Sequence, residues 1–267
     1  GAGYAAFASA KFGLRGVAQS MARELGPKGI HVAHLIIDAA VDTEWVRGIL
    51  ELGQTDPEAR LKYRRLIRSF FQEMIDERRH APRDDAISKL MAAEVDGEPL
   101  SDYTVIGVCF LLLVAGIDTT WSSIGSALWH FATHPEDRKR MYAEPELFPT
   151  AIEELLRFYS PVVMARRVLD PIDFGDAHMV PGDKVLMNFP AANRDPEVFD
   201  RPDEVVLDRA RNRHVAFGVG IHRCAGSNLA RMEMDATLRV WFERIADFEL
   251  IEPERVRWTG GQVRGPR

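Results

Sequence analysis

Cysteine is nearly absent from this chain. Its 267 residues include two, Cys109 and Cys224, too few and too far apart to form a disulfide framework. Any special role for either is chemical rather than a cross-link. Also missing is an unbroken apolar run of the roughly 20 residues that a membrane span needs. The longest, Val105–Ile117, has 13 residues and contains Gly107 and Gly116, so the sequence predicts no membrane segment. Positive charge is not in excess: the formal net charge of −6 and a pI of 5.8 argue against nucleic acid as a partner. No charged stretch leading into an apolar one opens the chain, so no signal peptide is expected. Glycine (20) and proline (15) stand at ordinary levels, excluding collagen-like and low-complexity classes. What remains, with 46% hydrophobic and 28% charged residues, reads as a soluble, cytoplasmic globular protein of one large domain or two small ones.

The pattern changes along the chain. Phe7, Leu14, Val17, Met21 and Leu25 have helical spacing, Gly26-Pro27 ends that helix, and Ile30 to Ile37 forms a short apolar strand. This is half of an α/β unit, and no later segment supplies the other strands. After about Thr43, helix follows helix. Pro57 to Arg79 places Leu66, Ile67, Phe70, Phe71, Met74 and Ile75 on one face, and Arg64, Arg65, Arg68, Glu73 and Arg78 on a solvated one. A helix capped by Ser101 runs to His134, and another spans Leu147 to Tyr159. Val162 to Phe189 reads as short antiparallel strands around a Pro181-Gly182 turn. A last helix opens near Ala225.

The segment Phe217–Gly226 (FGVGIHRCAG) carries the chemistry. Cys109, inside an apolar helix, reads as a buried, inert thiol. Cys224 sits instead among glycines and cations. Gly218, Gly220 and Gly226 admit positive φ and close backbone approach. The following helix directs its positive end at the sulfur, and His222 and Arg223 add potential that favours thiolate. Such a sulfur suits either a soft metal or nucleophilic attack. Gly218-x-Gly220 is no dinucleotide fingerprint, because Arg223 occupies the third glycine position.

This segment resembles the haem-binding loop of the cytochrome P-450 family of haem-thiolate monooxygenases, F-x-x-G-x-x-x-C-x-G, at Phe217, Gly220, Cys224 and Gly226. Two more signatures occur in order. Ala115–Thr120 (AGIDTT) resembles the oxygen-binding kink of the family's long distal helix, and Glu154-Leu-Leu-Arg157 its E-x-x-R pair. Residues 193–209 resemble its meander, ending at Arg209. The resemblance covers about Trp45 to Arg267. It implies a mainly α fold with small antiparallel β elements, in truncated form, over residues 46–267. It also implies haem b, with Cys224 as iron ligand and Phe217, Gly218, His222, Gly226 and Arg166 around the cofactor. Arg166 and His222 would meet the propionates. Asp118 and Thr119 would be the catalytic pair, relaying protons to dioxygen, with Gly116 leaving room and the helix bending there. Glu154 and Arg157, one turn apart, would pair and fix the scaffold with Arg209. The implied reaction inserts one oxygen atom into a small apolar organic substrate. Electrons would come from a ferredoxin or flavodoxin with its reductase.

Residues 1–45 resemble instead the C-terminal part of a short-chain dehydrogenase/reductase, a helix–strand fragment of α/β type. Lys11 matches that family's Y-x-x-x-K, but Phe7 stands at the tyrosine position, and Tyr4 lies two helical turns from Lys11. Thr43 matches a cofactor-contacting threonine, while Asp38-Ala39 replaces the Pro-Gly turn. The join falls between about Val41 and Gly48. The alternative functions are thus an NAD(P)-dependent oxidoreductase remnant or an inactive chimeric fragment. Relative to the monooxygenase family the chain lacks an N-terminal half, so apolar faces are expected to be exposed and coupled turnover negligible.

Overall fold

The computed structural model describes residues 57–245, 247–260 and 263–266. The helix and strand expected over residues 7–37, with Tyr4, Phe7, Lys11 and Thr43, lie outside the described residues. The chain forms two compact units that divide between Ala115 and Gly116.

In the first unit, α1 (Pro57–His80) is followed by α2 (Ala86–Met91). Ile67, Phe71 and Ile75 recur every fourth residue, and that stripe is buried with Ile87, Val105, Ile106 and Cys109. The stripe is narrower than the sequence suggests. Leu66 and Phe70 each sit about 100° around the helix from a stripe residue, and they are exposed. Arg78 departs in the other direction. It continues the stripe one turn beyond Ile75, and is buried rather than solvated. Its charge is met by Asp85 (Nε to Oδ2, 2.8 Å) and Glu77 (Nη1 to Oε2, 2.6 Å). Asp85 also caps α2 by accepting the Ser88 N–H at 2.8 Å. Burial pushes the Asp85 carboxyl up, but the Ser88 amide and the Arg78 guanidinium outweigh it, and the net shift is downward. A two-stranded hairpin, β1 (Glu94–Val95) and β2 (Glu98–Pro99), closes over Asp96-Gly97.

The helix α3 (Asp102–Thr133) has 32 residues. Ser101 Oγ accepts the Thr104 N–H at 3.2 Å, the cap expected there, and Pro135 ends the run beyond His134. Neither Gly107 nor Gly116 interrupts it, and the expected bend is not a break: the segment is α-helical throughout. Among the described residues it is the one helix long and apolar enough to cross a membrane, by length and composition alone. The 13-residue run understates the apolar length of this helix, because apolar residues continue on it beyond that run as far as Phe131.

In the second unit, α4 (Pro135–Ala143) leads through a 3-10 turn to α5 (Phe148–Tyr159). Four short strands follow: β3 (Met164–Arg167), β4 (Ile172–Phe174), β5 (Ala177–Met179) and β6 (Lys184–Met187). β3 pairs with β6 and β4 with β5, both antiparallel as expected. After α6 (Phe189–Ala192), a long irregular stretch reaches α7 (Ser227–Arg244). β7 (Trp258–Thr259) and β8 (Gly265–Pro266) close the described chain as a further antiparallel pair.

The core of this unit joins Ile124, Ala127 and Phe131 of α3 to Ile152, Leu155 and Leu156 of α5 and Leu238 and Phe242 of α7. Phe131 and Phe148 meet the Phe242 ring edge-on, with centroids 5.1 and 5.6 Å away, the geometry that the ring quadrupole favours. Gly265 lies so close to α3 that a Cβ would fall 2.9 Å from Ser122 Cβ, so only glycine lets β8 seat there. The mainly α class with small antiparallel strands is therefore the observed one.

Candidate functional site

The motif residues converge on α5, the stretch after α6, and the start of α7. Glu154 and Arg157 on α5 are fully buried, and their charges are answered group by group. Arg157 places Nε and Nη2 on the two Glu154 oxygens, each at 2.8 Å. Its remaining N–H groups donate to the carbonyls of Asn193 (2.8 Å), Pro202 (2.8 Å) and Glu204 (2.7 Å). Glu154 further accepts from Val206 N–H (2.8 Å), Arg209 Nε (2.9 Å) and Asn212 Nδ2 (3.1 Å). Burial alone would push the Glu154 carboxyl up. The two guanidinium groups and the Val206 amide overrule it and hold the group below the usual range. The pairing expected of Glu154, Arg157 and Arg209 is what the structure shows.

Downstream of this network the chain enters the cysteine loop. Gly218 N–H donates to Val215 O (2.9 Å), Arg223 N–H to Gly220 O (3.1 Å) and Cys224 N–H to Phe217 O (2.9 Å). These bonds close the loop into one hydrogen-bonded shape. Gly218 and Gly220 sit at φ +69° and +67°, where a side chain would be strained. Gly226 does not: its φ is −86°. A Cβ there would lie 3.9 Å from Cys224 Sγ, an ordinary van der Waals contact, so neither backbone strain nor crowding within the chain demands glycine at this position. Cys224 is exposed, whereas Cys109 is buried and burial pushes its thiol up. α7 starts at Ser227 with no capping side chain, leaving its first amides beside the loop.

The other expected site residues come from separate elements. Phe217 is half-buried at the base of the loop, against the core. His222 is exposed within the loop's 3-10 turn. Arg166 lies on β3 opposite Val185, and its Nη1 donates to Ala165 O at 3.0 Å. Asp118 and Thr119 are half-buried on α3, and the Thr119 carbonyl accepts Ser123 Oγ at 2.9 Å. Space opens beside them: a Cβ on Gly116 would meet nothing within 4 Å.

Sequence reasoning missed three residues, Glu153, His214 and Arg231. Arg231 bonds both oxygens of Glu153, Nε to Oε1 at 2.5 Å and Nη2 to Oε2 at 2.9 Å. His214 Nε2 also meets Glu153 Oε2, at 2.9 Å. The separations of 61 and 78 residues leave no periodic trace, so nothing in the sequence pattern signals the cluster. It also missed Glu233, whose carboxyl is pushed up by burial although a hydrogen bond from Thr120 opposes this.

An exposed thiol on a glycine loop, near the cation of Arg231 and the start of a helix, is a donor set for one soft metal bond. The open side of Gly226 lets a flat ligand approach the sulfur. These residues fit haem.

The sequence profile described as Cytochrome P450 matches residues 49–252. The chain belongs to the cytochrome P450 family. Among its relatives, the polyketide biosynthesis cytochrome P450 PksS of Bacillus subtilis is 34% identical over 217 residues, 80% of this chain and 54% of that protein. Its solved structure gives a TM-score of 0.78, covering 83% of this chain and 58% of that one. Mycinamicin IV hydroxylase/epoxidase of Micromonospora griseorubida is 32% identical over 229 residues, 84% of this chain and 58% of that protein. The structure of CYP109E1 from Bacillus megaterium in complex with testosterone gives a TM-score of 0.80 at 28% identity, covering 96% of this chain and 77% of that one. The chain thus spans about half the length of the curated relatives it matches.

Two measurements follow from the buried charges. Glu154→Ala leaves Arg157 buried without its carboxylate, and should lower the unfolding free energy in urea by about 3–5 kcal/mol. A loss below 1 kcal/mol would show the pair to be dispensable. Glu153 has its carboxyl lowered from 4.5 to about 2: burial opposes the shift, but His214 and Arg231 prevail. A depressed acid contributes stability that is complete above the unfolded value and is lost as pH falls toward the folded one. Stability should therefore decline between pH 4.5 and about 2, and less steeply in Glu153→Gln. Equal slopes in the two proteins would refute the assignment.

Proposed function

We propose that this chain is the haem-binding portion of a haem-thiolate monooxygenase that inserts one atom of dioxygen into an apolar organic substrate. The observation that carries the reading is Cys224. It is exposed at the head of a closed glycine loop, immediately before α7, in a chain whose family match spans residues 49–252. Bound haem b would supply dioxygen activation, favoured by electron donation from a thiolate ligand.

The chain's own residues take the remaining roles. Cys224 Sγ would ligate the iron, with Phe217, Gly218 and Gly226 lining the haem site. The loop amides and the first turn of α7 stabilise charge on sulfur. Arg166 and His222 would hold the haem carboxylates. Asp118 and Thr119 hold and pass protons toward the oxygen substrate, and Gly116 keeps their side of α3 open. Electrons come from a ferredoxin or flavodoxin with its reductase. The apolar helix α3 belongs to a soluble domain, and the protein is cytoplasmic. Residues 1–45 are a short-chain dehydrogenase/reductase-like fragment without the acid/base tyrosine, and contribute no NAD(P) chemistry.

One observation supports limited competence of the chain by itself. Ile221 of the cysteine loop and Leu229 of α7 are exposed, Ile221 almost completely at 97%. Apolar surface around a haem site that is left open to water favours loss of haem and leakage of reduced oxygen. The 267-residue chain should hold haem weakly and show negligible coupled turnover.

With haem in excess, reduced protein under carbon monoxide should show the red-shifted Soret band of a thiolate complex. Cys224→Ser should abolish it, and Cys109→Ser should leave it. A wild-type band without thiolate character, or the reverse pattern in the variants, removes the reading. Thr119→Ala should keep haem binding but release more peroxide per reductant consumed. An unchanged peroxide yield would take the proton role away from Thr119.

A further inference from the structure

Glu153 and Glu154 are neighbours on α5, yet they serve different parts of the unit. Glu154 gathers the meander through Val206, Arg209 and Asn212. Glu153 gathers the two ends of the cysteine loop. On the incoming side is His214, three residues before Phe217. Its Nδ1 accepts the Ala216 N–H at 3.2 Å, so the ring proton sits on Nε2 and is donated to Glu153 Oε2 at 2.9 Å. On the outgoing side is Arg231, in the second turn of α7, bonded through Nε and Nη2 to both Glu153 oxygens. Its Nη1 also reaches Ser227 O at 3.4 Å.

The guanidinium does more than close this pair. Its carbon lies 4.5 Å from the centroid of the Phe217 ring, within cation–π distance. Phe217 in turn accepts the Cys224 N–H at 2.9 Å through its carbonyl. A continuous line of contacts therefore runs from the Glu153 carboxylate through Arg231 and Phe217 to the backbone of the cysteine. Val215 N–H, in the same strand of the loop, is held by Asn193 Oδ1 at 2.7 Å, so the loop base is tethered on two sides.

We propose that Glu153, His214 and Arg231 form a clamp that fixes the cysteine loop, with Arg231 the positioning residue that sets Cys224 through Phe217. The consequence for iron ligation rests on the haem-thiolate reading; the clamp itself does not. A bidentate guanidinium with a ring beneath it has one preferred orientation. Lysine could keep the charge but neither the fork nor the flat contact.

Amide hydrogen exchange on this chain tests the clamp without cofactor. Arg231→Gln and Glu153→Gln should each speed exchange at Ala216 and Cys224 by about tenfold or more, as loss of charge-assisted hydrogen bonds implies. The α5 amides of Leu155 and Leu156 should be unaffected. The double variant should add little to either single one, because both remove the same unit. Arg231→Lys should fall between wild type and Arg231→Gln, and Lys139→Gln, at an exposed pair, should change nothing. Unchanged exchange at Ala216 and Cys224, equal acceleration in α5, or additive single effects would each overturn the proposal. A second arm adds haem and carbon monoxide. Arg231→Gln should convert part of the thiolate band to a non-thiolate one, with partial recovery in Arg231→Lys. A wild-type protein with no thiolate band would remove the functional reading, whereas the exchange arm still decides the clamp. A full thiolate band in Arg231→Gln would confine the clamp to the loop backbone and overturn its role at Cys224.

Discussion

Two full charges, Glu154 and Arg157, lie in the interior of the second unit, and the surrounding chain is arranged to make that tolerable. Removing such groups from water costs several kcal/mol each after relaxation. The cost is offset only if every lone pair and every N–H is answered. Arg157 therefore gathers carbonyls from Asn193, Pro202 and Glu204, and Glu154 gathers donors from Val206, Arg209 and Asn212. An irregular stretch with little secondary structure of its own is thereby pinned to a helix. The pair acts less as a source of stability than as a specification: one path of the meander satisfies it.

The same logic bears on the loop that follows. Loops are usually the more mobile parts of a fold, whereas a ligating side chain has to be held within about 0.5 Å of its place. Here the loop is bound internally by its own amides and externally by groups carried on α5. α5 can serve as an anchor because its other face is fixed in the core by Ile152, Leu155 and Leu156. Adjacent carboxylates on one rigid helix, each with its own cationic partner, transmit that rigidity to two different segments.

The sequence revealed much of this, and the gaps follow from physical causes. Ser101 and Pro135 bracket α3 because caps and proline act locally, through one or two backbone groups. The cysteine loop was legible because positive φ demands glycine at fixed spacings, and Gly218 and Gly220 meet that demand. Gly226 takes an ordinary φ of −86°, so of the two reasons offered for glycine there positive φ does not apply. Leu66, Phe70 and Arg78 were misplaced because hydrophobicity alone does not set the width of a helix stripe. A buried arginine looks like a surface one until its carboxylates are located. Glu153, His214 and Arg231 were invisible because charge pairing across 61 and 78 residues leaves no pattern along the chain.

Phe217 shows how these levels meet in one residue. Its carbonyl closes the loop on Cys224, its ring lies against the Arg231 guanidinium, and its partly buried body packs on the core of the unit. Each contact alone is modest, since a cation–π contact at a part-exposed site contributes about 0.5–1 kcal/mol and a backbone hydrogen bond about 1. Together they share one rigid group, so a shift that relieves one strains the others. Replacing the ring with an aliphatic side chain would keep the carbonyl bond and much of the packing, yet remove the flat face that orients Arg231. The aromatic position of the motif therefore has a reason that hydrophobic burial does not supply. It couples the orientation of a cation on α7 to the backbone that carries the sulfur.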